Sequence, residues 1–399
     1  MNVPKLRFKE FNDEWQPINL ADIFQYFSTN SLSREQLSES GILKNLHYGD
    51  IHRKYNSIVN ENKEITSYVK DLNYVNKYEL LKNNDLIFAD ASEDYKGIGK
   101  AVEVVNVNNN TVSGLHTILV RDNSNVFAPM FKGYYFNSPT VHNQIRVLAN
   151  GFKVYGISKE AINKLNIKIP SIKEQSKIAN TLYLLDKKIE LQNKKIEDLK
   201  LFKLYLQNKL YNANDTKDVL IKDLGEIVTG TTPSKSENKY WDNGNILWIT
   251  PTDICENRDI NDCSCKLTES GLAKGRFIPK NSILVTCIAS IGKNAIIKED
   301  GSCNQQINAI IPSKDYNYNY IYYMIENLSN YMKSIAGTSA TAIINKEQFG
   351  NINIKIHKRE VQDKISKILN AFETKIIQEG FKYKKLQNLK KGLMQNMFV

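Results

Sequence analysis

The feature that most constrains this chain is an internal repeat. Ile157-Ser-Lys-Glu-Ala-Ile-Asn-Lys-Leu-Asn-Ile-Lys-Ile169 matches Ile344-Asn-Lys-Glu-Gln-Phe-Gly-Asn-Ile-Asn-Ile-Lys-Ile356 at an offset of 187 residues, and the register holds without a gap to Tyr211 and Phe398. Identical pairs continue at Gln175 and Gln362, Lys177 and Lys364, Ile178 and Ile365, Leu182 and Leu369, Ile189 and Ile376, and Leu199 and Leu386. Self-similarity at one fixed offset means that a supersecondary unit is used twice, so any fold must place it twice.

The repeated unit reads as a short strand followed by a long helix. Asn166-Ile-Lys-Ile169 alternates with period two, and Pro170 bars its continuation as a central strand. From Glu174 onward the apolar positions are Ile178, Leu182, Leu185, Ile189, Ile196, Leu199, Leu206 and Leu210, with Gln192 and Lys203 in the polar slots. The second copy has Ile365, Leu369, Phe372, Ile376, Tyr383, Leu386, Leu393 and Met397, with Glu379 and Lys390 in its polar slots. Spacings alternating between four and three are the rhythm of a coiled-coil seam. An amphipathic helix must cover its apolar stripe, so the simplest arrangement packs the two copies against each other. Each helix, at about 1.5 Å per residue, is expected to span about 58 Å.

Two unlike globules alternate with the helices. Residues 1–156 and 213–343 share only a loose skeleton: Asp22-Ile23 with Glu226-Ile227, Gly49-Asp50-Ile51 with Thr252-Asp253-Ile254, Asn84-Asp85-Leu86-Ile87-Phe88 with Asn281-Ser282-Ile283-Leu284-Val285, and Ile98-Gly99-Lys100 with Ile291-Gly292-Lys293. Short β-type runs bounded by Gly, Asn, Asp and Pro dominate both. The predicted organisation is a first globule (1–156), a first spacer with its helix (157–212), a second globule (213–343) and a second spacer with its helix (344–399). The fold class is α+β: two β-rich domains separated by two long helices packed as an antiparallel coiled coil with pseudo-two-fold internal symmetry.

Composition narrows the function classes. With 41% hydrophobic and 24% charged residues, each globule can bury a core, which excludes a disordered chain. No apolar run approaches a membrane span, Met1–Glu10 lacks the apolar region of a signal peptide, and five irregularly spaced cysteines form no disulfide framework. A soluble cytoplasmic protein is expected. The formal charge of +11 invites a nucleic-acid partner, although heavy Lys, Asn, Ile and Tyr usage also follows from an AT-rich genome. Residues 173–211 carry nine Lys against five acids and 360–399 eight Lys against four, so the helices hold +8 and leave +3 for everything else. The globules are therefore poorly equipped to neutralise phosphates alone, and the helix lysines read equally as a solvated face or as phosphate contacts.

Four strings carry a family resemblance: Pro4-Lys-Leu-Arg-Phe-Lys-Glu-Phe-Asn-Asp-Glu-Trp15, Gly230-Thr-Thr-Pro-Ser-Lys235, Trp248-Ile-Thr-Pro-Thr-Asp-Ile254 and Lys390-Lys-Gly-Leu-Met-Gln-Asn-Met-Phe398. With the repeat, the chain resembles the specificity subunit of a type I restriction–modification system over its whole length. The stretch Leu20–Thr29 departs from the pattern, having no clear counterpart of Gly230–Ser234. The resemblance implies that each globule is a target recognition domain reading half of an asymmetric, bipartite site in double-stranded DNA. It implies helices that fix the gap and dock two modification (methyltransferase) subunits, with restriction subunits as possible further partners. It also implies a chain that is not itself catalytic and binds no cofactor or metal. S-adenosylmethionine would belong to the modification subunits, and ATP and Mg to a restriction subunit.

Base edges are read by polar side chains on loops. The candidate DNA-binding residues in the first globule are His52, Arg53, Lys54, Ser92, Glu93, Lys96, Lys100 and His116. In the second they are Thr232, Ser234, Lys235, Thr250, Asp253, Ser290, Lys293, Gln305, Gln306, Thr338, Ser339 and Thr341. His47 and His52 flank Gly49-Asp50 in a loop that contacts either DNA or solvent. Each Ile-Gly-Lys is expected at a tight turn, with Lys100 and Lys293 available to a phosphate. Catalytic readings find little support. No Asn/Asp-Pro-Pro-Tyr/Phe methyltransferase motif and no GxxxxGK[ST] loop occurs. Asp50 with Glu61-Asn-Lys63 imitates a nuclease set without its Pro-Asp element. Cys263-Ser-Cys265, Cys255 and Cys287 lack the second paired element of a zinc site, which favours reduced structural thiols. The alternative function is a coiled-coil adaptor whose globules bind protein.

Overall fold

The computed structural model describes residues 3–75, 77–108, 110–213, 215–255, 258–337 and 342–399. The chain divides into two compact units, Met1–Asn193 with Phe381–Val399, and Lys194–Gly380. This grouping cuts across the four sequence segments, because each unit takes part of both long helices.

The first unit is built on a five-stranded sheet: β1 (Phe24–Phe27), β2 (Ile58–Asn60), β3 (Leu86–Ala89), β4 (Ala101–Val105) and β5 (Thr117–Asp122), in spatial order β1-β5-β3-β4-β2. Its neighbours are antiparallel except β4 and β2, which run parallel. Alternation assigns the two faces. Ile87, Ala89, Val102, Val104 and Leu119 pack with Leu46, Ile51 and Val59 on the side of helix α1 (Tyr48–Arg53). Leu86, Phe88, Ala101, Ile118 and Val120 pack with helix α2 (Phe131–Phe136), whose Phe131, Tyr134, Tyr135 and Phe136 are fully buried. The first long helix, α3 (Ile172–Tyr211), covers that core with Ile178, Ala179 and Leu182. The N-terminal and C-terminal strings meet here: Trp15 and Tyr135 close around Phe398, with ring centroids 6.5 and 5.7 Å away.

The second unit repeats the plan with different side chains. Its sheet is β6 (Gly225–Thr229), β7 (Asp259–Ile260), β8 (Ile283–Thr286), β9 (Asn294–Ile297) and β10 (Ile307–Pro312), in the order β6-β10-β8-β9-β7, again with one parallel pair at the β9–β7 edge. Helix α4 (Tyr318–Asn327) takes the place of α2, and the second long helix, α5 (Arg359–Asn396), buries Ile365 and Leu369 against it. In both units the strand of the repeated unit pairs antiparallel with the strand that opens the globule: Ile167–Ile169 with Gln16–Ile18, and Asn353–Ile356 with Lys217–Leu220.

Three of the four polar slots of the two helices, Lys203, Glu379 and Lys390, carry ion pairs. In the second unit Lys203 lies 2.6 Å from Glu373 and Lys195 lies 3.2 Å from Glu379, so one helix descends as the other ascends. In the first unit Lys390 lies 2.6 Å from Asp186, while Leu393 and Met397 join the cluster of Ile178 and Leu182. The 187-residue offset carries Lys203 onto Lys390 and Asp186 onto Glu373, so these are the same bridge made twice. A tyrosine of each globule backs its bridge: Lys390 lies 5.9 Å from the Tyr134 ring and Lys203 lies 5.1 Å from the Tyr323 ring. Among the described residues no helix is long and apolar enough to cross a membrane.

Candidate nucleic-acid interface

The strand directions gather the loops. In the first unit β3 ends, and β4 and β5 begin, at one end of the sheet. The 90–100 turn, the 114–116 connection and α1 all lie there. The same end of the second sheet carries 230–236, 250–255, 287–293 and 304–306.

Main-chain hydrogen bonds make the two loop sets superimposable in plan. Asp90 N–H donates to His116 O at 3.1 Å, and Cys287 N–H donates to Gln306 O at 2.8 Å. Ala89 N–H reaches Lys100 O and Thr286 N–H reaches Lys293 O, each at 2.9 Å. Asn30 N–H donates to Ser113 O as Thr231 N–H does to Cys303 O. The Gly230–Ser234 segment therefore has a first-globule counterpart in the residues around Thr29 and Asn30, matched by backbone pairing and not by sequence. Gly99 (φ +69°) and Gly292 (φ +81°) occupy the left-handed position of equivalent turns, and a Cβ at Gly99 would come within 2.3 Å of Ile145.

An aspartate anchors the helix-side loop of each set. Asp50 is fully buried, accepting from Arg34 at 2.8 and 3.1 Å and facing Lys54 at 3.1 Å. Burial pushes its carboxyl upward, but Arg34 and Lys54 outweigh that and hold it below the usual range. Asp253 accepts from Thr250 N–H and Oγ1 (2.8 and 2.6 Å) and from Ser264 N–H and Oγ (3.1 and 2.9 Å). Burial again acts upward and the hydrogen bonds win, so Asp253 is also lowered. Glu61, the other half of the nuclease-like set, is buried and accepts from the Thr111 hydroxyl and the Asn108 N–H. Asp50 and Glu61 thus hold up the loop framework.

The candidate residues fall into two groups by where their polar atoms go. Several face inward. Lys100 donates to Tyr55 O at 2.6 Å and His52 O at 3.3 Å, closing the end of α1, and burial lowers its ammonium. Buried Ser92 donates to Asp94 O at 2.8 Å, His52 Nε2 lies 2.9 Å from Ala91 O, and Thr250 and Asp253 hold their own turn. Lys100, expected at a turn where it is available to a phosphate, gives two of its three N–H donors to these carbonyls. Lys293 at the equivalent turn is exposed, beside a pocket of about 340 Å³ that it lines with Ser290 and Lys333.

The second group faces out. Arg53, Glu93, Lys96 and His116 are exposed in the first unit, and Thr232, Ser234, Lys235 and Gln305 in the second, with Ser290 and Gln306 part-exposed; Lys54 is exposed along its stem but turns its ammonium to Asp50. Thr232 donates to Gln305 Oε1 at 2.5 Å and Ser234 Oγ lies 2.8 Å from Ser236 Oγ. Thr338, Ser339 and Thr341 lie outside the described residues.

Sequence reading missed the aromatic supports of both loop sets. Tyr48 packs against His47 (4.7 Å), His116 (5.2 Å) and His52 (6.1 Å). Trp241 stands edge-on to Trp248 at 4.9 Å, and their indole N–H groups donate to Ser234 O and Thr231 O, each at 3.0 Å. A tryptophan at the edge of a Gly-Thr-Thr-Pro-Ser loop was the available signal. No cluster of three or more His, Cys, Asp or Glu suited to a metal occurs among the described residues; the Cys263 thiol instead donates to Cys265 O at 2.9 Å.

A family model described as "Type I restriction modification DNA specificity domain" matches residues 12–201 and 214–388. The chain belongs to that family. It is 32% identical to the MjaIX type I restriction enzyme specificity subunit of Methanocaldococcus jannaschii over 185 residues, 45% of this chain and 43% of that protein. It is 30% identical to a type I restriction enzyme specificity subunit of Escherichia coli over 236 residues, 55% of this chain and 57% of that one. The chain thus spans about half the length of these curated relatives. In fold it is similar to the type I S subunit structure from M. genitalium, with a TM-score of 0.62 at 14% identity over 100% of this chain and 99% of that one.

Proposed function

We propose that this chain is the DNA-reading, non-catalytic subunit of a type I restriction–modification complex. Each globule reads one half of a split, asymmetric site in double-stranded DNA through the loops at one end of its five-stranded sheet. The paired helices set the unread gap and dock two modification subunits; S-adenosylmethionine belongs to those subunits, and ATP and Mg to a restriction subunit where one joins. The observation that carries this reading is a single loop framework built twice, with matching main-chain bonds and unlike outward side chains. Repeated geometry with different chemistry is what two independent readers of one polymer require. The α3 helix of 40 residues, at about 1.5 Å each, has the length to span more than one turn of B-DNA. The grooves of the duplex admit polar loop side chains to base edges, while phosphate contacts fix register.

The deciding experiment is a methylation map of DNA from cells expressing the chain with its modification partner. Replacing residues 1–156 by another recognition domain should alter one half of the modified site and leave the other. A change in both halves, or in neither, refutes independent readout.

A further inference from the structure

We infer that His116 and Gln306 are corresponding base-reading side chains held in opposite hydrogen-bonding polarity, His116 offering an acceptor and Gln306 a donor; this rests on the split-site reading proposed above. Both residues immediately precede the strand that lies second in its sheet, β5 or β10, and both accept the main-chain N–H of the residue that follows β3 or β8. They therefore leave the same point of two equivalent frameworks.

Each has its inner atom taken by a neighbour. His116 Nδ1 lies 3.2 Å from Asp90 Oδ1, and its side chain is 50% exposed. A carboxylate only accepts, so Nδ1 carries the hydrogen and Nε2 of the neutral ring keeps a lone pair. The ring is steadied edge-on by Tyr48 at 5.2 Å, on a backbone with φ +54°, a left-handed conformation that a non-glycine residue adopts at a cost. Gln306 is fixed by a chain of logic through Asn304. The Gln306 N–H donates to Asn304 Oδ1 at 3.0 Å, which identifies the oxygen of that amide. Asn304 Nδ2 is then the donor that meets Gln306 Oε1, also at 3.0 Å. The Gln306 oxygen is used, and its NH₂ group is what remains to be offered. The second globule needs this internal anchor because its counterpart of Asp90 is Cys287, buried and carrying no carboxylate.

Opposite polarity selects opposite base edges. In the major groove an acceptor meets the amino group of adenine or cytosine. A donor meets N7 or O6 of guanine, N7 of adenine or O4 of thymine. Asp90 acts through His116 and is a positioning residue.

The test uses the full chain with its modification subunits on a randomised duplex pool at about pH 8, above the histidine range, with methylated positions sequenced. H116R replaces an acceptor by donors and should move one base position of one half-site toward guanine. Q306E replaces the donor by acceptors and should move one position of the other half-site toward adenine or cytosine. Each should disfavour its original base by about 10- to 100-fold. D90N should blur the His116 position alone. Thermal unfolding of each variant controls for folding, and H116K and Q306D, which make the same change of polarity, serve where a first variant fails to fold. No sequence preference in the unaltered protein would overturn the split-site reading itself. An unaltered split site that none of the variants changes, a loss of rate without a change of sequence, or changes confined to one half would overturn the polarity assignment while leaving that reading intact.

Discussion

Replacing Lys203 by methionine isolates the contribution of the repeated helix bridge. The Lys203 ammonium lies 2.6 Å from Glu373 and 3.6 Å from Glu326, and 5.1 Å from the Tyr323 ring. The Lys203 and Glu373 side chains are only 12% and 16% exposed. Methionine keeps the length of the stem but leaves two carboxylates facing a gap. Orphaning one member of a buried pair costs about 3–5 kcal/mol, whereas an exposed pair contributes about 0–1 kcal/mol. The bridge sits between these limits, so a cost of about 2 kcal/mol is expected. At about 2–4 °C per kcal/mol for a unit of this size, the transition of the second unit should fall by about 4–8 °C. The matched variant Lys390→Met should lower the first unit by a similar amount, since Lys390 faces Asp186 at 2.6 Å in the equivalent place. Lys200→Met is the control, because the Lys200 and Glu197 side chains are each 55% exposed and the pair should matter little. Calorimetry reads these shifts. Equal shifts for Lys203→Met and Lys200→Met would refute the argument, as would a Lys203→Met/Glu373→Leu double variant that recovers nothing.

Other measurements probe the loop framework, the core and the charge distribution. His47 is buried, its Nδ1 accepts the Gly49 N–H at 3.1 Å, and burial, followed by the Arg34 charge, lowers it from 6.5 to about 4. Between those values the unfolded chain takes up a proton that the folded chain refuses, so acidification from pH 6.5 toward 4 should remove up to about 3 kcal/mol. H47N keeps the acceptor without the titration, so its melting temperature should depend less steeply on pH; an unchanged slope would contradict this. Phe398→Ala empties a site enclosed by Trp15, Tyr135 and Phe131 and should cost the first unit about 3–5 kcal/mol in denaturant unfolding, a loss under about 1 kcal/mol being inconsistent with that packing. Because the helices hold +8 of the +11 charge, the chain alone should bind DNA weakly at about 150 mM salt by fluorescence anisotropy, and a nanomolar Kd would contradict this.

What the sequence made legible follows physical periodicity. The helices were readable because seam positions repeat every three and four residues, and the strand Ile167–Ile169 because alternation ends at a proline. Asn84 and Asn281 were matched by sequence and share a left-handed backbone, φ +69° and +66°, because that turn restricts its residue type. The counterpart of Gly230–Ser234 was invisible because Asn30 and Thr231 share only a main-chain donor, which any residue except proline supplies. The inward contacts of Lys100 were invisible for a related reason. Its residue type suggests phosphate, but its nitrogen was needed by two carbonyls at the end of a short helix, a demand set by tertiary contact.

The same distinction explains why the spacer is duplicated nearly faithfully while the globules differ. In the helices each bridge residue must fit a side chain on the other copy: changing Lys203 alone strands Glu373, and restoring the fit requires a coordinated second change. At the sheet ends, side chains such as His116 and Gln306 project from frameworks closed by main-chain bonds, and their replacement leaves Asp90 N–H and Cys287 N–H still paired. A scaffold locked by side-chain pairs, carrying loops whose outward positions are closed by backbone pairs, can change what it recognises without losing what holds it together. For that separation to hold, H116R and Q306E must alter sequence preference without lowering either unfolding transition by more than about 0.5 kcal/mol, the range of an ordinary surface substitution.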